Sequence, residues 1–321
     1  MSQAPNIDGV LIQWGDRLFY PGNRVVKTKP QPRLGANAAR QRAAAIRERI
    51  EATVVRRAPQ VMVKVTGGGR GMKAIAAHFR YISKNGRLDI EDERGETMRG
   101  KDTLPELADD WRFGGTLIDD IGDRREAFNI MLSMPRGTDP LIVQKAAREF
   151  AQIELADHKY VMVLHDHQAN PHVHISVRAE SKHGKRLNPR KADLHRWRET
   201  FAENLRGHGV EAEATRQATR GRTRNFDPLW RVKAREDGRL RTGRPGSKSS
   251  PQARASRAEA VEAWMQLGRA LAVSGDPADR DLARSIAAFV KEMPSITASA
   301  EPSRTTDLKS RPRTIDIDPR R

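Results

Sequence analysis

The chain has 321 residues and no cysteine, with 59 Lys and Arg against 41 Asp and Glu, a net charge of +18. The length suits one medium domain with extensions or two small ones, and the missing cysteine excludes a disulfide scaffold, a thiolate metal site and a cysteine nucleophile. No apolar run is long enough to cross a bilayer and no signal-type apolar segment opens the chain, so the expectation is a cytoplasmic protein whose charge calls for a polyanion, nucleic acid first.

In chain order, residues 1–58 read as a basic, mostly disordered lead. Pro21, Pro30 and Pro32 interrupt any pattern, and an Ala/Arg-rich helix from Ala36 to Ile50 has only a thin apolar face. The first convincing strand runs from Gln60 to Thr66, where Val61, Val63 and Val65 alternate. A glycine cluster, Gly67 to Gly69 and Gly71, closes it. A helix follows from Met72 to about Ser83, with Ile75, Phe79 and Ile82 on one face and Asn85-Gly86 as its stop. Charged residues fill 87–102, and Leu104 to Phe113 predicts a short helix.

A second strand spans Ala127 to Met134. Asp139-Pro140 then supplies a cap and first-turn proline for a helix to about Leu155. Strands from Lys159 to His165 and from His172 to Ala179 read as an antiparallel hairpin. A helix capped by Asp193 should run to about Gly207, with Trp197 and Phe201 as core residues. The composition then changes: from Arg216 to Arg257 there are thirteen Lys and Arg against three acids, which predicts an extended basic linker arm. Residues 258–293 predict a helical pair and 294–321 a disordered tail. The folded core is thus 59–215, an α+β unit.

Four of the nine histidines fall in the run HDHQANPHVH, from His165 to His174. In a strand, residues two apart share a face, so His172 and His174 point the same way while Val173 turns to the other side. His165 ends the preceding strand and would lie across the hairpin. Three imidazoles on one face make a metal site with open coordination positions. His167 and Asp166 fall in the loop, His167 as a solvated residue. Of the three tyrosines, Tyr20 lies in the lead and Tyr160 in an apolar strand. Tyr81 ends the helix after the glycine cluster, flanked by Arg80, Lys84 and Arg87. It is either a surface residue or a nucleophile whose cationic neighbours favour the phenolate and attract phosphate.

These features occur in one order: strand, glycine-rich turn, a helix ending YISKNGRL, a strand ending SMPRGTD, and the histidine hairpin. Together with the run GKRLNPRKADLHRWRETFAENLRGHGVEAEATR they resemble the relaxases, the mobilisation nucleases of conjugative plasmids, in the branch that includes the T-DNA border endonuclease. The likeness covers about 60–220. It implies a histidine–hydrophobe–histidine endonuclease fold: a mostly antiparallel central sheet flanked by helices. It also implies that Tyr81 attacks the scissile phosphate of single-stranded DNA at a transfer origin to leave a 5′-phosphotyrosine. In the same resemblance, His165, His172 and His174 hold a divalent ion, Mg²⁺ or Mn²⁺. The tyrosine precedes the histidines, the order found in relaxases rather than in rolling-circle replication initiators. One departure stands out: close relatives carry Asp two residues after the first histidine, where this chain has His167. Asp166, or Glu126, is left for that acid's role.

The expected DNA contacts are Arg70 with the glycine turn near the tyrosine, Arg80, Lys84 and Arg87 around it, and a basic patch of Lys182, Lys185, Arg186, Arg190 and Lys191. Expected partners are the transfer-origin strand, relaxosome accessory proteins and a type IV secretion coupling protein, in a bacterial cytoplasm from which the protein travels with the strand. No GxxxxGK[ST] motif occurs, so no Walker-type motor is encoded. The competing readings are a hydrolytic metallonuclease in which Tyr81 is incidental, and a non-catalytic DNA-binding accessory of the relaxosome.

Overall fold

The computed structural model describes residues 6–20, 36–222, 234–235, 237–239 and 250–300. Its centre is a six-stranded sheet built from β1 (Met62–Gly67), β2 (Ile90–Asp92), β3 (Thr97–Met98), β4 (Ala127–Ser133), β5 (His158–His165) and β6 (His172–Ser181). The strand order is β1-β4-β6-β5-β2-β3, and every neighbouring pair is antiparallel. This is the α+β architecture expected from the sequence.

Period-two alternation decides what each face of the sheet meets. Val173, Ile175, Val177 and Ala179 of β6 face α5 (Pro140–Glu154) and α6 (Lys191–Gly207), in a core that includes Phe150, Trp197 and Phe201. The opposite face of the sheet packs Val161 and Val163 of β5 against α3 (Met72–Ile82) and α4 (Thr103–Phe113) through Ile75, Phe79 and Trp111. The rings of Phe79 and Trp111 meet edge to face at 4.9 Å. Because both faces are covered, β4, β5 and β6 are buried along almost their whole length. His172 and His174 fall on the α3 side, together with Ser176 and Arg178.

The short β2–β3 hairpin lies where the sequence suggested only charged connection. Its strands carry Glu91 and Asp92, and both are buried because Arg148 engages Glu91 and Arg94 engages Asp92. Asp193, expected to cap α6, instead sits inside its first turn and accepts the Arg190 amide at 2.9 Å.

The lead is not a disordered segment where it is described. Helices α1 (Ile7–Phe19) and α2 (Ala36–Val54) pack with α7 (Pro251–Ala272) and α8 (Pro277–Lys291) around a separate core of Leu11, Leu18, Phe19, Ile46, Ile50, Trp264, Leu267, Ile286 and Phe289. The thin apolar face of α2 suffices because α1 approaches it closely: a Cβ on Gly15 would come 2.5 Å from Cγ2 of Ile46. The expected tail begins as a short helix, α9 (Pro294–Ala300), and 301–321 lie outside the described residues. Within the expected arm, residues 223–233, 236 and 240–249 lie outside them too. Its first residues are docked: the Thr219 carbonyl accepts the Trp264 indole N–H at 2.8 Å, and its hydroxyl donates to the Leu18 carbonyl at 3.1 Å.

The helical unit and the sheet unit meet at a buried arginine. Arg49 of α2 reaches Glu199 of α6 at 3.0 Å and Glu213 at 2.9 Å. Glu213 also joins the start of the sheet unit, donating its amide to the Pro59 carbonyl.

Candidate metal and nucleophile site

Antiparallel register brings the three histidines together. His165 pairs directly with His172, and His174 pairs with Val163 on β5 and Met131 on β4. Residues opposite or diagonal across a ladder have side chains within reach of each other. The ring centroids of His165, His172 and His174 accordingly lie 4.6–5.0 Å apart, and one nitrogen from each lies within 4.8 Å of the other two. All three are at least nine-tenths buried, with exposures of 5 %, 6 % and 9 %.

Hydrogen bonds fix the roles of the ring nitrogens. Nε2 of His165 lies 2.6 Å from the Ile82 carbonyl, and Nδ1 of His172 lies 2.9 Å from the Asn170 carbonyl. A carbonyl only accepts, so those nitrogens carry the protons and the other nitrogen of each ring presents a lone pair. Nδ1 of His165 and Nδ1 of His174 are buried with no hydrogen-bond partner. Burial holds all three rings below the ordinary histidine range, His174 down to about 3, and each adjacent imidazolium would disfavour the next. They are therefore neutral at physiological pH. Buried, unprotonated and unpartnered imidazole nitrogens facing one point are the donor set of a divalent metal with open positions, so the residues fit that ion.

The candidate nucleophile arrives from α3. The Ile82 carbonyl that holds His165 is the last residue of this helix, and Tyr81 precedes it. After the helix, Lys84, Asn85 and Gly86 take positive φ values of 50°, 62° and 77°, and the Asn85 amide bonds back to the Arg80 carbonyl. This left-handed stop is the one signalled by Asn-Gly. Glycine is required there, since a Cβ on Gly86 would sit 2.3 Å from the Gly100 backbone. Tyr81 is 70 % exposed, with its ring centroid 6.4 Å from that of His174. Around it, Ala77, Arg80, Lys84, Asn85 and Arg87 line an open depression of about 500 Å³. Among the described residues, no acid pairs with those three cations.

One residue here was not read from the sequence. His78, one helical turn before Tyr81, stacks on its ring at 6.0 Å and 29° and meets His174 edge-on at 6.4 Å. Its Nε2 is buried without a partner, and burial pushes its pKa down to about 4. The signal was the three-residue spacing within HFRY, which puts both rings on one side of α3.

Residues 81–210, from the tyrosine through all three histidines, match the family model of the relaxase MobA/VirD2-like nuclease domain. That stretch is thus similar to a relaxase nuclease domain. Over 182 aligned residues the chain is 25% identical to the T-DNA border endonuclease VirD2 of Rhizobium radiobacter, covering 50% of this chain and 43% of the relative. The chain thus spans less than half the length of that relative.

Not every expected residue lies at this end of the sheet unit. The glycine turn and Arg70 stand at the start of α3, about 15 Å along the helix from Tyr81 at 1.5 Å per residue, so they do not flank the tyrosine as expected. Lys182, Lys185 and Arg186 follow the far end of β6, about 30 Å from His172 at strand rise. There Lys182 pairs with Asp157, while Arg186 is engaged by Glu126 and Glu180. Arg190 and Lys191 open α6, which runs antiparallel to α5 with Arg196 at Glu154, and they too sit at that remote end. Closeness in sequence misled here because a ten-residue strand separates the patch from the hairpin tip. Glu126 immediately precedes β4, near the Arg178 end of β6, and pairs with Arg124 and Arg186; it is remote from the histidines. Asp166 is exposed immediately after His165. Trp197 and Phe201 are core residues, as expected.

Proposed function

We propose that this relaxase domain nicks single-stranded DNA at a plasmid transfer origin to begin conjugative mobilisation. The observation that carries the reading is the exposed Tyr81 ring beside His174 of a buried, neutral histidine triad. Tyr81 Oη attacks the scissile phosphorus in line; the new O–P bond forms as the bond to the 3′ oxygen breaks. That oxygen leaves as a 3′-hydroxyl, taking up a proton, and the 5′ end stays on the protein as a phosphotyrosine. A phosphodiester replaces a phosphodiester, so the strand can be resealed without ATP.

A divalent ion held by His165, His172 and His174, Mg²⁺ or Mn²⁺ in this reading, supplies positive charge to the non-bridging oxygens of the phosphate. Asp166, beside the first ligand, is assigned to assist Tyr81 as the acceptor of its proton. Arg80, Lys84 and Arg87 hold the strand next to the nucleophile through its phosphates. Arg70, Lys182, Lys185, Arg186 and Arg190 are assigned to flanking DNA at the other end of the sheet. Relaxosome accessory proteins and a type IV secretion coupling protein are the proposed partners. The proposed location is the bacterial cytoplasm, with passage into the recipient alongside the strand.

The test is incubation with single-stranded transfer-origin DNA, labelled on the 5′ end of the expected downstream product, with Mg²⁺ or Mn²⁺, followed by a denaturing gel. Wild type should give a labelled protein band that Tyr81→Phe and His172→Ala both lack. Cleavage that persists in Tyr81→Phe would overturn the tyrosine mechanism in favour of hydrolysis.

A further inference from the structure

Five of the nine histidines form one unbroken run of ring contacts: His167 against His165, His165 against His172 and His174, and His174 against His78. The metal reading uses three. His78 is anchored on α3 and stacks on Tyr81, but His167 is placed differently. It lies exposed on the six-residue connection between β5 and β6. Its ring centroid is 5.1 Å from that of His165, just beyond the 4.6–5.0 Å between the triad rings, and tilted by 49°.

Three imidazoles leave a divalent ion coordinatively open, and a tetrahedral ion needs one further donor. A loop-borne imidazole at this distance can reach that position by turning about its own side chain. The donors would then all be imidazole. Such a set favours borderline transition ions; Mg²⁺ prefers hard oxygen donors and retains its waters.

We propose that His167 is a fourth, exchangeable metal ligand, which closes the shell around a transition-metal ion in the DNA-free protein and yields its place to a phosphate oxygen. This rests on the triad being a metal site, as assigned above. His165, His172 and His174 fix the ion, whereas His167 joins and leaves, because only it stands on an exposed loop. The DNA-free protein would thus retain a transition ion more tightly than three imidazoles alone allow, and would bind Mg²⁺ no better for having His167.

The experiment titrates the full chain, stripped of metal, with Co²⁺ while recording the visible d–d absorption, and measures Mg²⁺ binding by calorimetry. Wild type, His167→Ala, His167→Gln and His172→Ala are compared. Wild type should show the intense band of four-coordinate Co²⁺. His167→Ala and His167→Gln should bind Co²⁺ about tenfold or more weakly, with a fainter band, and leave Mg²⁺ binding unchanged. A short single-stranded oligonucleotide added to wild-type Co²⁺ protein should lower the band towards that of His167→Ala. Equal Co²⁺ affinity and spectra in wild type and both His167 variants, with binding lost in His172→Ala, would overturn the fourth ligand and spare the triad. Failure of wild type to bind Co²⁺ at all would overturn both.

Discussion

At the scale of single residues, the histidine spacing was legible because strand geometry leaves little choice. Positions i and i+2 share a face, and the register then had to set His165 opposite His172. For His78 the sequence carried only its three-residue spacing from Tyr81, and nothing in it says that α3 ends against β5. Burial gives these rings a measurable consequence. His174 is pushed down to about 3 and His78 to about 4, chiefly by desolvation, from an ordinary value of 6.5. As pH falls below 6.5 the unfolded chain takes up protons at these positions before the folded one does, so acidification favours unfolding. The metal-free protein should be most stable above pH 6.5, with a Tm that falls steadily towards pH 4, and His78→Gln should flatten part of that fall. A Tm independent of pH over this window would contradict the assignment. His78→Ala should also slow nicking more than it weakens DNA binding, because it removes the ring that stacks on Tyr81. Single-turnover rates and binding isotherms separate the two effects.

At the scale of elements, β1, β4, β5, β6 and helices α3 to α6 were readable from period and punctuation. In each, an apolar face of fixed period lies between recognisable stops. The β2–β3 hairpin was not, because its buried positions are acidic and are satisfied by Arg148 and Arg94, contacts that period alone does not reveal. The left-handed turn after α3 decides where Tyr81, the proposed nucleophile, stands. Gly86→Ala places a methyl group against the Gly100 backbone at a φ of 77°, and should destabilise the protein by about 1–3 kcal/mol. Nicking activity should fall further than this loss of stability explains. Urea unfolding and a nicking assay on the same preparation check both. A fully active variant would show that the turn does not set the position of Tyr81.

At the scale of the whole molecule, α2 and the helical pair at 258–293 were read from the sequence, but α1 and the assembly of these helices into one unit were not, because its halves are far apart in the chain. The apolar stripe of α1 is covered by α2 and by α7, which lies more than 230 residues later, so a local window sees no partner for it. The remote placement of Lys182, Lys185 and Arg186 was hidden for the opposite reason: neighbours in sequence lie at opposite ends of a strand. Arg49 ties the two units together, buried between Glu199 and Glu213. Arg49→Ala leaves the buried Glu213 and the half-buried Glu199 without this cation and should cost about 3–5 kcal/mol. Arg49→Met, similar in length and uncharged, should also destabilise unless both acids are changed to Gln with it. Thermal unfolding of the three proteins decides this, and an unaltered Tm in Arg49→Ala would show that the interface does not depend on the pair.

The proposed covalent joining of Tyr81 to DNA is read most directly by mass spectrometry of the trapped complex. After reaction with a transfer-origin oligonucleotide and nuclease trimming, the protein is digested and the site of the residual nucleotide is mapped. A 5′-phosphoryl adduct is expected on the peptide that contains Tyr81 and on no other, absent when His172 is changed to Ala. An adduct on Tyr20 or Tyr160, or cleaved DNA with no adduct, would contradict it.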